Sequence, residues 1–254
     1  MNRPLAINRI HHIVQKLEEL GSVSVTDLAE WFEVSKETIR RDLKMLSDQG
    51  RVSLVHGGAA ATVPIEPSLS HREAENAVGK KAIGRKAASF VEDGMVVLID
   101  SGSTTLFLAE ALVAREDLTV ITNSLPIALT LCRTKGVKTI MLGGEVQAND
   151  EAAFGVDTLE LLRHYHVDLA FVGAGGISDS GDLTDYSRLA AEQRHLMLQA
   201  GSKAYVLADH TKFERKTPIK IMPSENISGL IVDHLQQGLV STKAAEKRWH
   251  IILA

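Results

Sequence analysis

Seven short apolar runs recur between residue 95 and the end of the chain: MVVLID, LTVIT, TIMLG, LAFVGAG, AYVLAD, GLIVD and WHIILA. Each is too short for a helix and rich in β-branched residues, and most are separated by helix-like stretches such as LFLAEALV and LPIALTLC. Runs that are apolar throughout, rather than alternating with polar residues, suit strands covered on both faces. Strand, helix, strand in repetition predicts an α/β domain around a largely parallel sheet. No sustained heptad, low-complexity tract or repeat of 20–50 residues points elsewhere.

The first sixty residues have another texture. Ile10, Ile13, Val14, Leu17 and Leu20 share one helical face, and Gly21 follows as a stop. Ser24 with Asp27 reads as a capping box before a second helix carrying Leu28, Ala29, Trp31 and Phe32. Ser35 reads as the N-cap of a third helix ending near Gly50. The stretch RVSLVHGGAAATV then reads as a hairpin turning at Gly57 and Gly58. Pro64 and Pro67 mark a linker, with polar residues to 78. The boundaries so drawn are 6–61, a linker over 62–78, and 79–254.

The third helix carries the sharpest chemistry, SKETIRRDLKML. At the helical period, Leu43 and Leu46 fall within about 40° of Ile39. Lys44, Glu37, Arg40 and Arg41 lie opposite. Such a helix packs by one side and offers cations on the other. In a major groove, Arg pairs with guanine and Lys or Arg meets phosphate. Ser35, Lys36 and Thr38 stand at its start, where hydroxyls and amides suit phosphate. His56 and Gly57, at the hairpin tip, would approach the DNA backbone. Trp31 and Phe32 read as packing residues rather than base-stacking ones.

Charge sets a bound on this. The chain carries a formal net charge of -4, and residues 1–61 hold eight Lys and Arg against eight Asp and Glu. That argues against a non-specific nucleic-acid coat and leaves DNA contact to local clustering. Cys132 is the one cysteine, so no internal disulfide forms, which fits a reducing, cytoplasmic setting. Cys132 itself reads as a small buried hydrophobe. The N-terminal stretch has no long apolar core, so neither a signal peptide nor a membrane partner is expected.

The larger half gathers Gly and hydroxyl residues at the ends of its strands. These are Asp100, Ser101, Gly102, Ser103, Thr104 and Thr105; Thr122, Asn123 and Ser124; Gly143 and Gly144; Gly175; and Asp209 with Lys212. In an open parallel sheet these ends share one edge, where ligands bind. Glycine lets amides approach an anion, hydroxyls donate, and Lys212 adds charge. SGSTT precedes a helix-like segment, so a phosphate would meet a helix N-terminus. Lys80, read as just before the domain's first helix, is a weaker candidate. GAGGI lacks the dinucleotide spacing and no Walker pattern occurs, so no cofactor is expected. His164 and His166 lack the spacing and company of metal ligands, and His11 and His12 read alike; no metal is expected.

Residues 6–61 resemble the winged helix-turn-helix of the DeoR family of bacterial regulators, through VSKETIRRDLKML and the trailing HGGA. DSGSTT, TNS, LGGE, GAGGI and DHTKF resemble the successive loops of that family's sensor domain, itself similar to ribose-5-phosphate isomerase. The resemblance implies a non-enzymatic homo-oligomer, a dimer or tetramer, on double-stranded operator DNA. It also implies a phosphorylated sugar or polyol effector that usually relieves repression of a catabolic operon. Two departures stand out. Leu54 occupies the place where the family commonly has arginine, and in SRLAAEQR the usual glutamate is absent or shifted to Glu192. An isomerase or deaminase with a fused helical module, and an activator or dual regulator, are the alternatives.

Overall fold

A computed structural model describes residues 6–49, 51–61, 66–213, 215, 217–236 and 238–254. The start of the chain at Met1, the helix end at Gly50 and the linker mark at Pro64 lie outside them. The chain divides into two compact units, 1–71 and 72–254.

In the smaller unit, α1 (Ala6–Leu20) is followed by β1 (Ser22–Ser24), α2 (Val25–Trp31), α3 (Lys36–Asp48), β2 (Val52–Val55) and β3 (Gly58–Ala61). Gly21 ends α1 at a φ of 72° and donates its N–H to Leu17, a left-handed stop that suits glycine. Ser24 caps α2 by accepting from the amides of Thr26 and Asp27. Ser35 caps α3 by accepting from Thr38 N–H at 3.1 Å. The hairpin is part of a three-stranded sheet, β1-β3-β2, because Ser22–Ser24 pairs antiparallel with Gly58–Ala60. Ile13, Leu17, Leu28, Phe32, Ile39, Leu43, Leu46, Val52 and Ala59 form its core. Each large side chain so buried contributes roughly 1.5–3 kcal/mol. Trp31 departs from the packing role expected of it: half of it is exposed, with Lys16 Nζ 3.9 Å above its ring.

The stretch read as a linker contains a helix, α4 (Leu69–Ala74), across the division between units. Beyond it come α5 (Ala77–Ala88), β4 (Val96–Ile99), α6 (Ser103–Leu112), β5 (Leu118–Thr122), α7 (Leu125–Leu131) and β6 (Val137–Met141). A hairpin, β7 (Glu145–Gln147) and β8 (Ala152–Phe154), leads to α8 (Val156–Leu162) and β9 (Val167–Val172). Then follow β10 (Gly176–Ile177), β11 (Leu183–Asp185), α9 (Arg188–Ala200), β12 (Gly201–Leu207), β13 (Ile219–Lys220), β14 (Ile227–Val232), α10 (Val240–Arg248) and β15 (Ile251–Leu253).

All seven apolar runs supply one parallel sheet, in the order β15-β14-β12-β9-β4-β5-β6. Side chains alternate between its faces. Leu98, Ala170, Val206 and Leu230 join Met197 and Leu198 of α9 in one core. Val97, Ile99, Phe171, Leu207 and Ile231 join Ile83, Leu108 and Leu131 of α5, α6 and α7 in the other. The chain lays β4, β5 and β6 toward one edge, then returns to place β9, β12, β14 and β15 toward the other. The reversal falls between β4 and β9. Among the described residues no helix is long and apolar enough to cross a membrane.

Two expectations need correction here. Lys80 lies inside α5 and is wholly buried, not ahead of the first helix. Cys132 is exposed. In α7 the buried positions are Ile127 and Leu131, and the helical period turns the next residue off their face.

Candidate functional site

The first candidate surface is α3 with its hairpin. Ile39, Leu43 and Leu46 point inward, while Lys36, Glu37, Arg40, Arg41 and Lys44 are exposed. Asp42 is buried too. It receives Arg9 Nε at 2.6 Å and Arg9 Nη2 at 3.1 Å, a forked ion pair that ties α3 to α1. The Asp42 hydrogen bond holds the Arg9 guanidinium above its ordinary pKa, against the effect of burial. Among the described residues the outward cations have exposed partners: Arg40 and Arg41 to Glu37 at 3.6 and 3.9 Å, and Lys44 to Asp48 at 3.1 Å. Such pairs are worth little in water, so these cations can exchange their carboxylates for phosphates. Ser35 and Thr38 share a 2.9 Å hydroxyl contact at the helix start, so both hydroxyls already serve the cap.

A groove of about 500 Å³ runs between α3 and the hairpin, lined by Lys36, Arg40, Lys44, Leu54, Val55 and His56 among others. Leu54 is half exposed in it. The two tip glycines have structural reasons. Gly57 adopts a φ of 82°, and its carbonyl accepts from Val25 N–H at 2.8 Å. A Cβ at Gly58 would lie 1.9 Å from the Val23 carbonyl oxygen on β1.

The second candidate site lies at the carboxyl edge of the parallel sheet. β4, β5, β6, β9 and β12 end respectively in Asp100–Thr105, Asn123–Ser124, Gly143–Gly144, Gly173–Gly176 and Asp209–Lys212. Of the expected residues here, Asp100, Ser101, Ser103, Thr104, Thr105, Thr122, Asn123, Ser124, Gly175, Asp209 and Lys212 are buried, whereas Gly143 and Gly144 are exposed.

At the reversal point, Asp100 Oδ2 accepts from Gly173 N–H at 3.0 Å and from Arg194 Nε at 2.8 Å. Arg194 also pairs with Asp185. The other oxygen, Asp100 Oδ1, is buried with no hydrogen-bond partner among the described residues. A lone buried carboxylate oxygen is costly unless something donates to it. Beside it Gly102 holds a φ of 148° and opens α6 with no side-chain cap, leaving the first amides of that helix unclaimed by a side chain. Thr105 Oγ1 donates to Gly102 O at 2.9 Å. Asn123 braces the neighbouring turn: its Oδ1 accepts from Ser101 N–H at 2.9 Å and its Nδ2 donates to Ser101 Oγ at 3.2 Å. Thr122 Oγ1 accepts from Ser124 N–H, and Ser124 caps α7.

Other members are committed to structure. Lys80 Nζ donates to the carbonyls of Arg72 and Glu75 and lies 3.4 Å from Asp209 Oδ2. Burial pushes the Asp209 carboxyl up, but Lys80, the Thr211 hydroxyl and amide, and Lys212 together hold it below the usual range. Gly144 is needed because a Cβ would meet Thr158 Oγ1 at 2.3 Å and Phe154 O at 2.5 Å. At Gly175 a Cβ would press on Thr184 and Asp185 at 3.1 Å.

Several residues here were not singled out in the sequence. Arg194 lies in the noted segment SRLAAEQR, yet it is this arginine that turns inward, while Glu192 is exposed. Arg215 pairs with Glu75 at 3.0 Å; burial lowers its pKa, but Glu75 and Tyr186 more than compensate. Asp233 accepts from Asn76, from the His210 ring and backbone, and from His234; these outweigh its burial and bring its carboxyl down to about 2.

Two family models match the chain: the DeoR-like helix-turn-helix domain over residues 9–63 and the DeoR C terminal sensor domain over 75–234. Among curated relatives, the HTH-type transcriptional regulator GolR of Listeria innocua is 32% identical, covering 89% of this chain and 90% of its own. The glycerol-3-phosphate regulon repressor of Escherichia coli is 29% identical, with the same two coverages. Among solved structures, ribose 5-phosphate isomerase A from Methanocaldococcus jannaschii aligns with a TM-score of 0.41 at 20% identity, covering 55% of each chain. With a DeoR-like head and a DeoR sensor domain covering most of its length, the chain belongs to the DeoR family of transcription regulators.

Proposed function

We propose that this chain represses a carbohydrate catabolic operon and leaves its operator when a phosphorylated sugar or polyol binds at the sheet edge of residues 72–254. The observation that carries the effector half is the reversal between β4 and β9, the place in such sheets where ligands enter. Asp100 Oδ1 there is buried without a donor, which suits a sugar hydroxyl. The uncapped start of α6, Ser103 to Thr105, suits the phosphate. The DNA half is α3 in the major groove, with Arg40, Arg41 and Lys44 outward and the hairpin beside the backbone.

The head spans 6–61, the sensor 79–254, and the stretch between them carries α4. A homodimer or homotetramer in the cytoplasm matches a two-fold operator. Effector binding favours a subunit arrangement whose heads no longer fit the operator spacing. The chain binds its sugar without converting it, in keeping with relatives named as regulators. A thermal-shift screen against a sugar-phosphate panel, followed by a gel-shift titration, tests all of this. The expected result is one compound that raises the melting temperature, releases DNA and is recovered unchanged. Turnover at enzymic rates, or no effect of any compound at millimolar level, would overturn it.

A further inference from the structure

Two Asp-His dipeptides stand at the ends of neighbouring parallel strands, Asp209-His210 after β12 and Asp233-His234 after β14. The register aligns Leu207 with Ile231. Continued by two and three residues, it sets Asp209 beside Asp233 and His210 beside His234. The two imidazoles accordingly lie face to face, 4.0 Å between centroids. Both turn the same nitrogen toward one oxygen: His210 Nδ1 is 2.7 Å and His234 Nδ1 is 3.4 Å from Asp233 Oδ2. His210, Asp233 and His234 each offer one atom within 4.8 Å of the others.

An imidazole Nδ1 that faces this carboxylate oxygen either carries the ring proton and donates it, or turns its lone pair to a bound cation. A proton on each imidazole is one solution. A single divalent metal is the other, and the donor set favours it: two imidazoles and one carboxylate are the three protein ligands of open zinc sites. Tetrahedral bonds of about 2.0–2.2 Å separate ligand atoms by about 3.3–3.6 Å; His234 Nδ1 already stands 3.4 Å from Asp233 Oδ2, while His210 Nδ1, at 2.7 Å, would draw back. The surroundings are already set for it. Asp233 Oδ1 is occupied by His210 N–H at 2.8 Å, which fixes the carboxylate and leaves Oδ2 for the metal. Asn76 Nδ2, now 2.8 Å from Oδ2, also reaches Asp209 Oδ1 at 3.3 Å and keeps that partner if a metal displaces it. His234 is exposed and borders an open cavity of about 590 Å³, which gives an entry path.

We propose that His210, Asp233 and His234 form a site for a borderline divalent metal of the zinc class, pinning the β12 and β14 ends together one residue from Asp209. The test is a titration of the chelator-stripped full chain with Zn²⁺ by calorimetry, and with Co²⁺ by visible absorption. One equivalent should bind. Affinity should fall at least tenfold in His234→Ala and His234→Gln, whose substituted residue is exposed and whose metal-free melting temperature should match the parent. His164→Ala, at an exposed position just past α8, should bind as the parent does. Absence of saturable binding, or equal binding by both His234 variants, would overturn the site and leave the imidazoles as hydrogen-bond donors to Asp233.

Discussion

Arg40 and Asp42 are two residues apart in α3 and point to nearly opposite sides of it. One is exposed and the other closes a buried fork with Arg9. The cationic side was legible because Ile39, Leu43 and Leu46 fix the phase of the helix. The Arg9 pair was not, because its partners are thirty-three residues apart and either could have faced water. Asp100 repeats the pattern: its place at a strand end was legible, its pairing with Arg194 ninety-four residues away was not. Two outcomes follow for α3 and the hairpin. Arg40→Ala or Arg41→Ala should weaken operator binding by about 1–3 kcal/mol if the side chain reads a base; unchanged affinity in both variants would remove α3 as the reading helix. Leu54→Arg should strengthen DNA binding with little sequence preference and steepen the logarithmic salt dependence by about 0.9. A salt titration that shows the parent slope would mean the Leu54 position does not face phosphate.

Elements were legible where periodicity is strong and obscure where partners decide. All seven strands of the large sheet overlap the seven apolar runs. β1 was missed because three residues, SVS, have no pattern of their own and become a strand only by pairing with β3. The polarity of the 62–78 stretch predicts a linker, yet it holds α4. Gly84 shows packing set between elements: a Cβ there would lie 2.7 Å from the Phe107 backbone on α6. Gly84→Ala should therefore cost about 1–3 kcal/mol through overpacking, despite alanine's better helix propensity; a raised denaturant midpoint would contradict this close approach of α5 and α6. Asp182 joins three elements. Its carboxylate meets Lys220 of β13 at 2.7 Å, Arg248 of α10 at 2.8 Å and the Ser180 hydroxyl beside β11 at 2.7 Å. The Lys220 hydrogen bond, chiefly, holds its pKa below the ordinary value. A depressed pKa stabilises the fold above the unfolded value, about 3.9, and that contribution fades as pH falls through the folded value. The stability gap between the parent and Asp182→Asn should thus be widest near neutrality and close under acid. A gap that is constant with pH would refute the assignment.

On the scale of the whole molecule, two units carry separate cores, one around Ile39 and Leu43 and one on each face of the parallel sheet. Calorimetry should resolve two unfolding transitions. A sugar phosphate should raise only the one belonging to residues 72–254, by mass action. A single transition, or a shift of the other one, would show that the cores do not melt independently. The two-unit plan was legible from the change of texture near Pro67. The reversal in strand order was not, since periodicity reports strands without saying which neighbour each takes.

Gly58 has a consequence for how such regulators diversify. Its missing side chain answers to the Val23 carbonyl on β1, and the Arg9–Asp42 fork answers to α1. Neither depends on which base sequence is bound. The outward positions of α3 and Leu54 are exposed and have no part in the core of the smaller unit, so they can change without disturbing it. On the proposed reading of α3, a lineage can therefore rewrite its genomic address, one exposed residue at a time, without risking the scaffold that presents it.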